Sequence, residues 1–264
     1  MSARHTKLSA PRRAFLPLGG PLAFLFILAA LGACSSARPP LRIAAAADLR
    51  FALDDLVKAF RQTHGNIRIE PSYGSSGNFY AQLQNQAPFD LYLSADLEYP
   101  QKLAEKGLSL PGSGFTYGVG RLVLWSAAGY GLEDLRRPAV RHIAIANPAH
   151  APYGRAAEAA LRSLGLYDAV KDKLVMGENI SQTFQLVESG AADAGLVALS
   201  LAVAPNAAGH GHYSEVPPNA YPPIRQGGAI LKWSKNVEAA QQFRAFLISP
   251  EGRAILKRYG FSGE

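Results

Sequence analysis

The sequence predicts an α/β protein built as two α/β lobes with mixed sheets, joined by two hinge crossings, with a cleft between the lobes. Three observations lead there. Short apolar runs alternate with stretches of helical period, the rhythm of strand–helix units. The units come in two batches, and each batch ends in a long extended segment that serves as a crossing. The chain beyond its leader is about 230 residues, enough for one large domain or two small ones.

The elements follow in order. "LRIAAAA" (41–47) reads as a strand, and 49–60 as a helix with Leu49, Leu53, Leu56 and Phe60 on one face. "NIRIEPS" (66–72) is the next strand, followed by the loop "YGSSGN" and a short helix. "FDLYLSAD" (89–96) is a third strand, and the helix after it stops at Gly107. The rhythm restarts at "FTYGVGRLVLWSA" (115–127). "HIAIANP" (142–148) is a strand, 154–165 a helix stopped by Gly165, "KLVMGEN" (173–179) a strand and 180–190 a helix. "AGLVALSL" (194–201) is one more apolar run. The Pro/Gly-rich stretch 205–228 reads as surface loop and crossing, and "GGAILKWS" (227–234) returns to strand character. Two helices follow, the second with Ser249 as cap and Pro250 in its first turn. The crossings fall near 115–122 and 220–228. The expected division is 41–118 plus 226–264 for one lobe and 119–225 for the other.

Residues 1–33 read as an export signal and are excluded from the fold. Arg4, Lys7, Arg12 and Arg13 make a basic start without acids, and an apolar run broken by Pro and Gly follows. "LGAC" ends at Cys34, the only cysteine. It is similar to the lipobox of bacterial lipoproteins, which makes Cys34 the lipidated first residue and anchors the exported protein to a membrane. Ordinary cleavage after Ala37 is the alternative. "RRAFL" resembles a twin-arginine signal as well. The signal holds four of the 27 Lys+Arg and none of the 20 Asp+Glu. The remainder is nearly balanced, so the basic total gives no reason to expect a nucleic-acid partner. With Cys34 spent on lipid or removed, no cysteine nucleophile, disulfide or thiolate metal site is available.

Four places join a strand end to a helix start: Ala47-Asp48, Gly74-Ser75-Ser76-Gly77, Ala151-Pro152-Tyr153-Gly154 and Glu178-Asn179-Ile180-Ser181. Each helix start offers unpaired N–H groups and a partial positive charge. Several converging starts make an anion site without Lys or Arg, at the strand ends where open α/β sheets bind ligands. Taken one at a time, each is also an ordinary helix cap.

The order and spacing of "AAAADLRFALDDL", "GSSGNFYAQL", "APFDLYLSAD", "FTYGVGRLVLW", "IAIANPAHAPYGRAAEAAL", "GENISQ" and "SGAADAGLVAL" cover most of 41–261. In these segments the chain resembles the periplasmic molybdate-binding proteins of ABC importers, a branch of the type II two-lobed solute-binding superfamily. The resemblance implies a monomer whose cleft closes on a tetrahedral oxyanion, molybdate and also tungstate, for delivery to a membrane permease. It implies no cofactor, no enzyme activity and no protein side chain bound directly to a metal. Carried over residue by residue, the contacts are Ala47 and Asp48, Ser76 with Ser75 and Gly77 beside it, Tyr153, and the Ile180 N–H. Some members have a ligand-contacting tyrosine where this chain has Ala198; another branch has one at the position of Tyr153, as here.

Asp48 departs from the Ser, Thr or Asn usual at its position, and an ionised aspartate can only accept. One reading makes it a helix cap bonded to the N–H of Arg50 or Phe51. The other turns it into the cleft to accept a proton from phosphate, phosphite or a phosphonate. A reading from another class is a serine hydrolase using Ser75 or Ser76, which lack the usual Gly-x-Ser-x-Gly frame and would need a histidine in reach. His210 and His212 form no ligand set with a third residue; they read as exposed. His150 stands at a junction, lining its mouth or exposed. Asp90 and Asp96 flank a strand end without other support for acid–base work.

Overall fold

The computed structural model describes residues 39–205, 207 and 209–263. The leader and Cys34 lie outside these residues. In chain order the first batch is β1 Leu41–Ala46, α1 Arg50–Thr63, β2 Ile69–Gly74, α2 Ser76–Gln84, β3 Leu91–Ser94, α3 Glu98–Glu105 and β4 Phe115–Gly120. The second is β5 Leu122–Ser126, β6 Ile143–Ala146, α4 Pro152–Ser163, α5 Tyr167–Val170, β7 Leu174–Gly177, α6 Ile180–Glu188, β8 Ala194–Ala198, α7 Leu199–Ala202 and β9 His212–Glu215. β10 Ile224–Ile230, α8 Val237–Leu247 and α9 Pro250–Arg258 come last, and a 3-10 turn at Ala47–Leu49 bridges β1 and α1.

The strands form two five-stranded sheets, in the orders β2-β1-β3-β10-β4 and β7-β6-β8-β5-β9. Both are mixed in the same way. β1 runs parallel to β2 and β3, with β10 antiparallel to β3 and β4. β6 runs parallel to β7 and β8, with β5 antiparallel to β8 and β9. The chain leaves the first sheet after Gly120 and joins the second at Leu122, across Arg121 alone. It returns between β9 and β10. In both sheets the parallel strands point their carboxyl ends at helix starts, where open sheets collect ligands.

Local signals explain most elements. Gly107 and Gly165 take φ of 65° just past α3 and α4, the left-handed turn that ends a helix and suits glycine. The Ser249 hydroxyl accepts from the Gly252 N–H at 3.2 Å, with Pro250 at the first helical position. The apolar run 194–201 holds two elements: β8 stops at Ala198, and the Leu199 N–H leaves the ladder to donate to the Arg121 carbonyl at 2.9 Å. One expectation is corrected. The stretch 205–228 is not only loop, because it holds β9 and the start of β10. β9 is a largely exposed edge strand, so its side chains lack the apolar alternation that marks a strand.

On one face of the first sheet, the α1 residues Leu53, Leu56 and Phe60 pack with Phe243 and Leu247 of α8 and Leu256 of α9. Phe60 and Phe243 meet edge to face, with centroids 5.2 Å apart and planes at 86°, the favoured aromatic geometry. In the second lobe Trp125 of β5 packs against Phe184 of α6 at 5.4 Å. Removing a fully buried aromatic ring leaves a cavity as well as losing transfer energy. Phe243→Ala is therefore expected to cost about 3–5 kcal/mol, read as a lower midpoint in denaturant at unchanged slope.

Candidate functional site

A small cavity between the sheets gathers all six residues singled out from the sequence: Ala47, Asp48, Ser75, Ser76, Tyr153 and Ile180. Ala95, at the end of β3, and Pro152 join them. No Lys, Arg or His is among the described residues that line it.

Each junction is held in place by its neighbours. At the β2–α2 junction, Ser75 is the helix cap, its Oγ accepting from the Asn78 N–H at 3.3 Å. Ser76 is fully buried and its Oγ accepts from the Ala95 N–H at 3.0 Å. A hydroxyl whose lone pair is held in this way still has its own proton to give. The Tyr92 hydroxyl donates to the Ser76 carbonyl at 2.7 Å, fixing the first turn from behind. At the β7–α6 junction, the Asn179 side chain accepts from the Gln182 N–H at 3.0 Å. Ile180 and Ser181 then open the helix with N–H groups that its ladder does not use. At the β6–α4 junction, Pro152 has no N–H to lose at the first helical position, and Tyr153 follows it, 2% exposed. Burial holds the Tyr153 phenol well above its ordinary pKa, so it is protonated and can donate.

Contacts between the lobes close the cavity. The Ser181 hydroxyl donates to the Ala47 carbonyl at 2.8 Å, and the Ser200 hydroxyl to the Asp48 carbonyl at 2.7 Å. The Gly77 N–H donates to the His150 carbonyl at 2.9 Å. A Cβ on residue 77 would lie 2.7 Å from that oxygen, so the approach requires glycine. Arg155 of α4 pairs with Asp96 at the rim and its Nη1 donates to the Tyr99 hydroxyl at 3.3 Å.

Residues 41–262 match the family model for bacterial extracellular solute-binding proteins. The chain belongs to this family. It is 40% identical over 237 residues to the molybdate-binding protein ModA of Azotobacter vinelandii, covering 88% of this chain and 94% of that one. It is also 40% identical over 196 residues to the molybdate-binding protein ModA of Rhodobacter capsulatus, covering 73% and 77%. The solved structure of the periplasmic molybdate-binding protein of A. vinelandii superposes with a TM-score of 0.80 at 38% identity, over 85% of this chain and 99% of that chain.

In this solute-binding protein Asp48 does not cap a helix. Neither the 3-10 turn nor α1 has a side-chain cap. The carboxyl turns instead toward β10, where its Oδ2 accepts from Gln226 Nε2 at 2.5 Å. The same amide nitrogen donates to the Tyr153 hydroxyl at 3.3 Å. Asp48 Oδ1 and Gln226 Oε1 are buried without hydrogen-bond partners. The cap was unavailable because the 3-10 turn over Ala47–Leu49 sends this side chain inward. Desolvation pushes the Asp48 pKa up to about 6 from the ordinary 3.8, and the Gln226 amide and Tyr153 phenol offset only part of that.

Gln226, which holds two of the cavity residues from behind, is the residue that sequence reading missed. It is fully buried on β10, and a Cβ on Gly120 would sit 2.1 Å from the Tyr153 hydroxyl and 2.6 Å from Gln226 Nε2. Its signal, one polar residue inside "IRQGGAI", is faint. The other candidates fall elsewhere. His150 Nε2 lies 3.3 Å from a Glu178 carboxylate oxygen. Asp90 accepts from the Arg42 N–H, the Ser234 hydroxyl and the Lys235 N–H, a structural clasp. His210 and His212 are exposed.

The unfolded chain loses the Asp48 proton near pH 4 and the folded chain near 6, so stability falls as pH rises through that window and stays lower above it. Asp48→Asn is expected to leave stability unchanged near pH 4 and to raise it by roughly 2–3 kcal/mol at pH 8. Denaturant melts of both proteins at the two pH values check this; equal differences at both would show that the carboxyl does not titrate in this window.

Proposed function

We propose that this protein captures molybdate, and tungstate as well, outside the cytoplasm and delivers it to a membrane ABC importer. One observation carries the reading: four helix starts and two neutral hydroxyls converge on a cavity whose described lining holds no cation. Such a wall suits a small anion whose oxygens are all acceptors. Enclosing a dianion is tolerable only if every oxygen finds a donor. Here the donors are the N–H groups at Ala47–Asp48, Ser76, Tyr153 and Ile180, the Ser76 hydroxyl and the Tyr153 phenol. They would contact the oxygens and leave the metal untouched. The kinship to molybdate-binding proteins at 40% identity supports the choice of anion.

The mechanism is capture by closure. The lobes swing about the crossings at Arg121 and 216–223, and the Ser181, Ser200 and Gly77 contacts join them once the anion is in place. A permease then distinguishes the closed form from the open one. The protein works as a monomer, anchored through a lipid on Cys34.

A second reading keeps the fold and changes the anion to a phosphorus oxyanion whose own proton is accepted by Asp48. The inward-facing, unpartnered Asp48 Oδ1 favours it. The hydrolase reading lacks its base: Ser75 Oγ serves the Asn78 N–H, Ser76 Oγ the Ala95 N–H, and His150 turns to Glu178.

Calorimetric titration with molybdate, tungstate, sulfate and phosphate separates the two anion readings; tight binding of phosphate alone would promote the second. Ser76→Ala removes a donor to a charged ligand, with an expected loss of about 1.5–3 kcal/mol, or roughly 10- to 150-fold in affinity. Unchanged affinity in the folded variant would take Ser76 out of the site. For the anchor, Cys34→Ala is expected to leave an unprocessed precursor while the native protein partitions into detergent. Native protein found free in the periplasmic fraction and beginning after Ala37 would refute lipidation.

A further inference from the structure

The buried carboxyl at the oxyanion site has no counter-charge. Asp48 is 1% exposed and lines the cavity. Its Oδ2 is held by Gln226 Nε2, and its Oδ1 is buried without a partner. The groups facing it come from several elements. Gln226 of β10 is uncharged. Tyr153 of α4 and Tyr117 of β4 are buried phenols held well above their ordinary pKa, hence neutral. Tyr221 stands near Tyr153, and burial raises its pKa likewise. Ser200 of α7 and Ser181 of α6 reach only backbone carbonyls here. A doubly charged oxyanion entering this cavity would therefore meet a carboxylate with nothing between them to neutralise either.

We infer that the protein takes up its oxyanion together with one proton, which Asp48 Oδ1 carries and donates to an anion oxygen in the closed cleft. This rests on the oxyanion reading above. The balance is simple: solvent supplies one proton to the carboxylate, no covalent bond to the anion forms or breaks, and the complex carries one charge fewer than its separated parts. Protonation removes the repulsion and supplies a donor to the anion. It also satisfies an oxygen that otherwise has no partner. The free carboxyl already titrates near 6, so the proton is within reach at neutral pH. Anion binding, favouring the neutral form, raises that value further.

The consequence is a pH-dependent affinity set by the protein. Below pH about 6 Asp48 is already protonated and affinity is level. Above it, each pH unit costs about tenfold, because a proton must be bound along with the anion. Molybdate is the probe, since it stays fully deprotonated from pH 6 to 8 and any slope then belongs to the protein. Calorimetric titrations of the purified protein at pH 6, 7 and 8, each in two buffers of different ionisation heat, read both affinity and protons taken up. The expected result is a fall of roughly 50-fold between pH 6 and 8, with uptake approaching one proton at pH 8. Asp48→Asn keeps the volume and a donor but cannot titrate. It is expected to bind with no slope and no uptake, and more tightly than the native protein at pH 8. Molybdate binding by the native protein that is flat with pH and releases or takes up no proton would overturn the inference while leaving the anion assignment standing. A slope retained in the variant would overturn it equally. Absence of molybdate binding at every pH would overturn the oxyanion reading, and the inference with it. The proton count on the native protein stands by itself if the variant does not fold.

Discussion

The convergence of four helix starts on one cavity is the constraint on which the site depends. A helix start has N–H groups that its own ladder cannot use, and in most proteins water takes them. Here β1, β2, β6 and β7 deliver their helix starts to a common point. The arrangement needs two sheets of like topology with their strand ends opposed, which in turn needs the one-residue passage at Arg121. It needs small residues where backbones approach, as Gly77 does against the His150 carbonyl. A cavity walled by helix starts rewards an anion that only accepts hydrogen bonds.

Asp48 strains that arrangement. Two unit charges about 4 Å apart repel by about 4 kcal/mol at an effective dielectric of about 20, and a dianion doubles the figure. A site tuned for anions would be expected to avoid a carboxylate. Yet the residue is enclosed, with one oxygen held by Gln226 and the other free. Burial without a cation disfavours the charged form of any acid, so the environment itself moves Asp48 toward the state that an anion tolerates. The side chain that looks wrong for the ligand in its ionised form becomes a donor once it carries a proton.

The contacts that join the lobes are few and mostly neutral. Serine hydroxyls from α6 and α7 bond the carbonyls of Ala47 and Asp48. These are the carbonyls of the turn that lines the cavity. The contacts between the lobes and the cavity wall thus share one piece of backbone. The Arg155–Asp96 pair at the rim is partly exposed, and exposed ion pairs contribute little, so the hold between the lobes rests more on the neutral contacts.

The sequence by itself determined the strand–helix rhythm, the two batches and the four junctions, because period, caps and glycine stops are local and each is written in a few adjacent residues. Ser249, Gly107 and Gly165 acted as their residue types predict. The four junctions that hold the six cavity residues were legible for the same reason; the individual residues came from the resemblance to molybdate-binding proteins. The exposed edge strand β9 was not, since an edge that buries little carries no apolar alternation. Nor was the break of 194–201 at Ala198, where a contact with distant Arg121 ends the strand. Only the tertiary structure decided what Asp48 does. A cap and an inward carboxyl have the same sequence, and the choice lay with Gln226, 178 positions away. Such a partner leaves no local trace: the energy that orients Asp48 comes from burial and from a strand that the chain reaches only on its return to the first sheet.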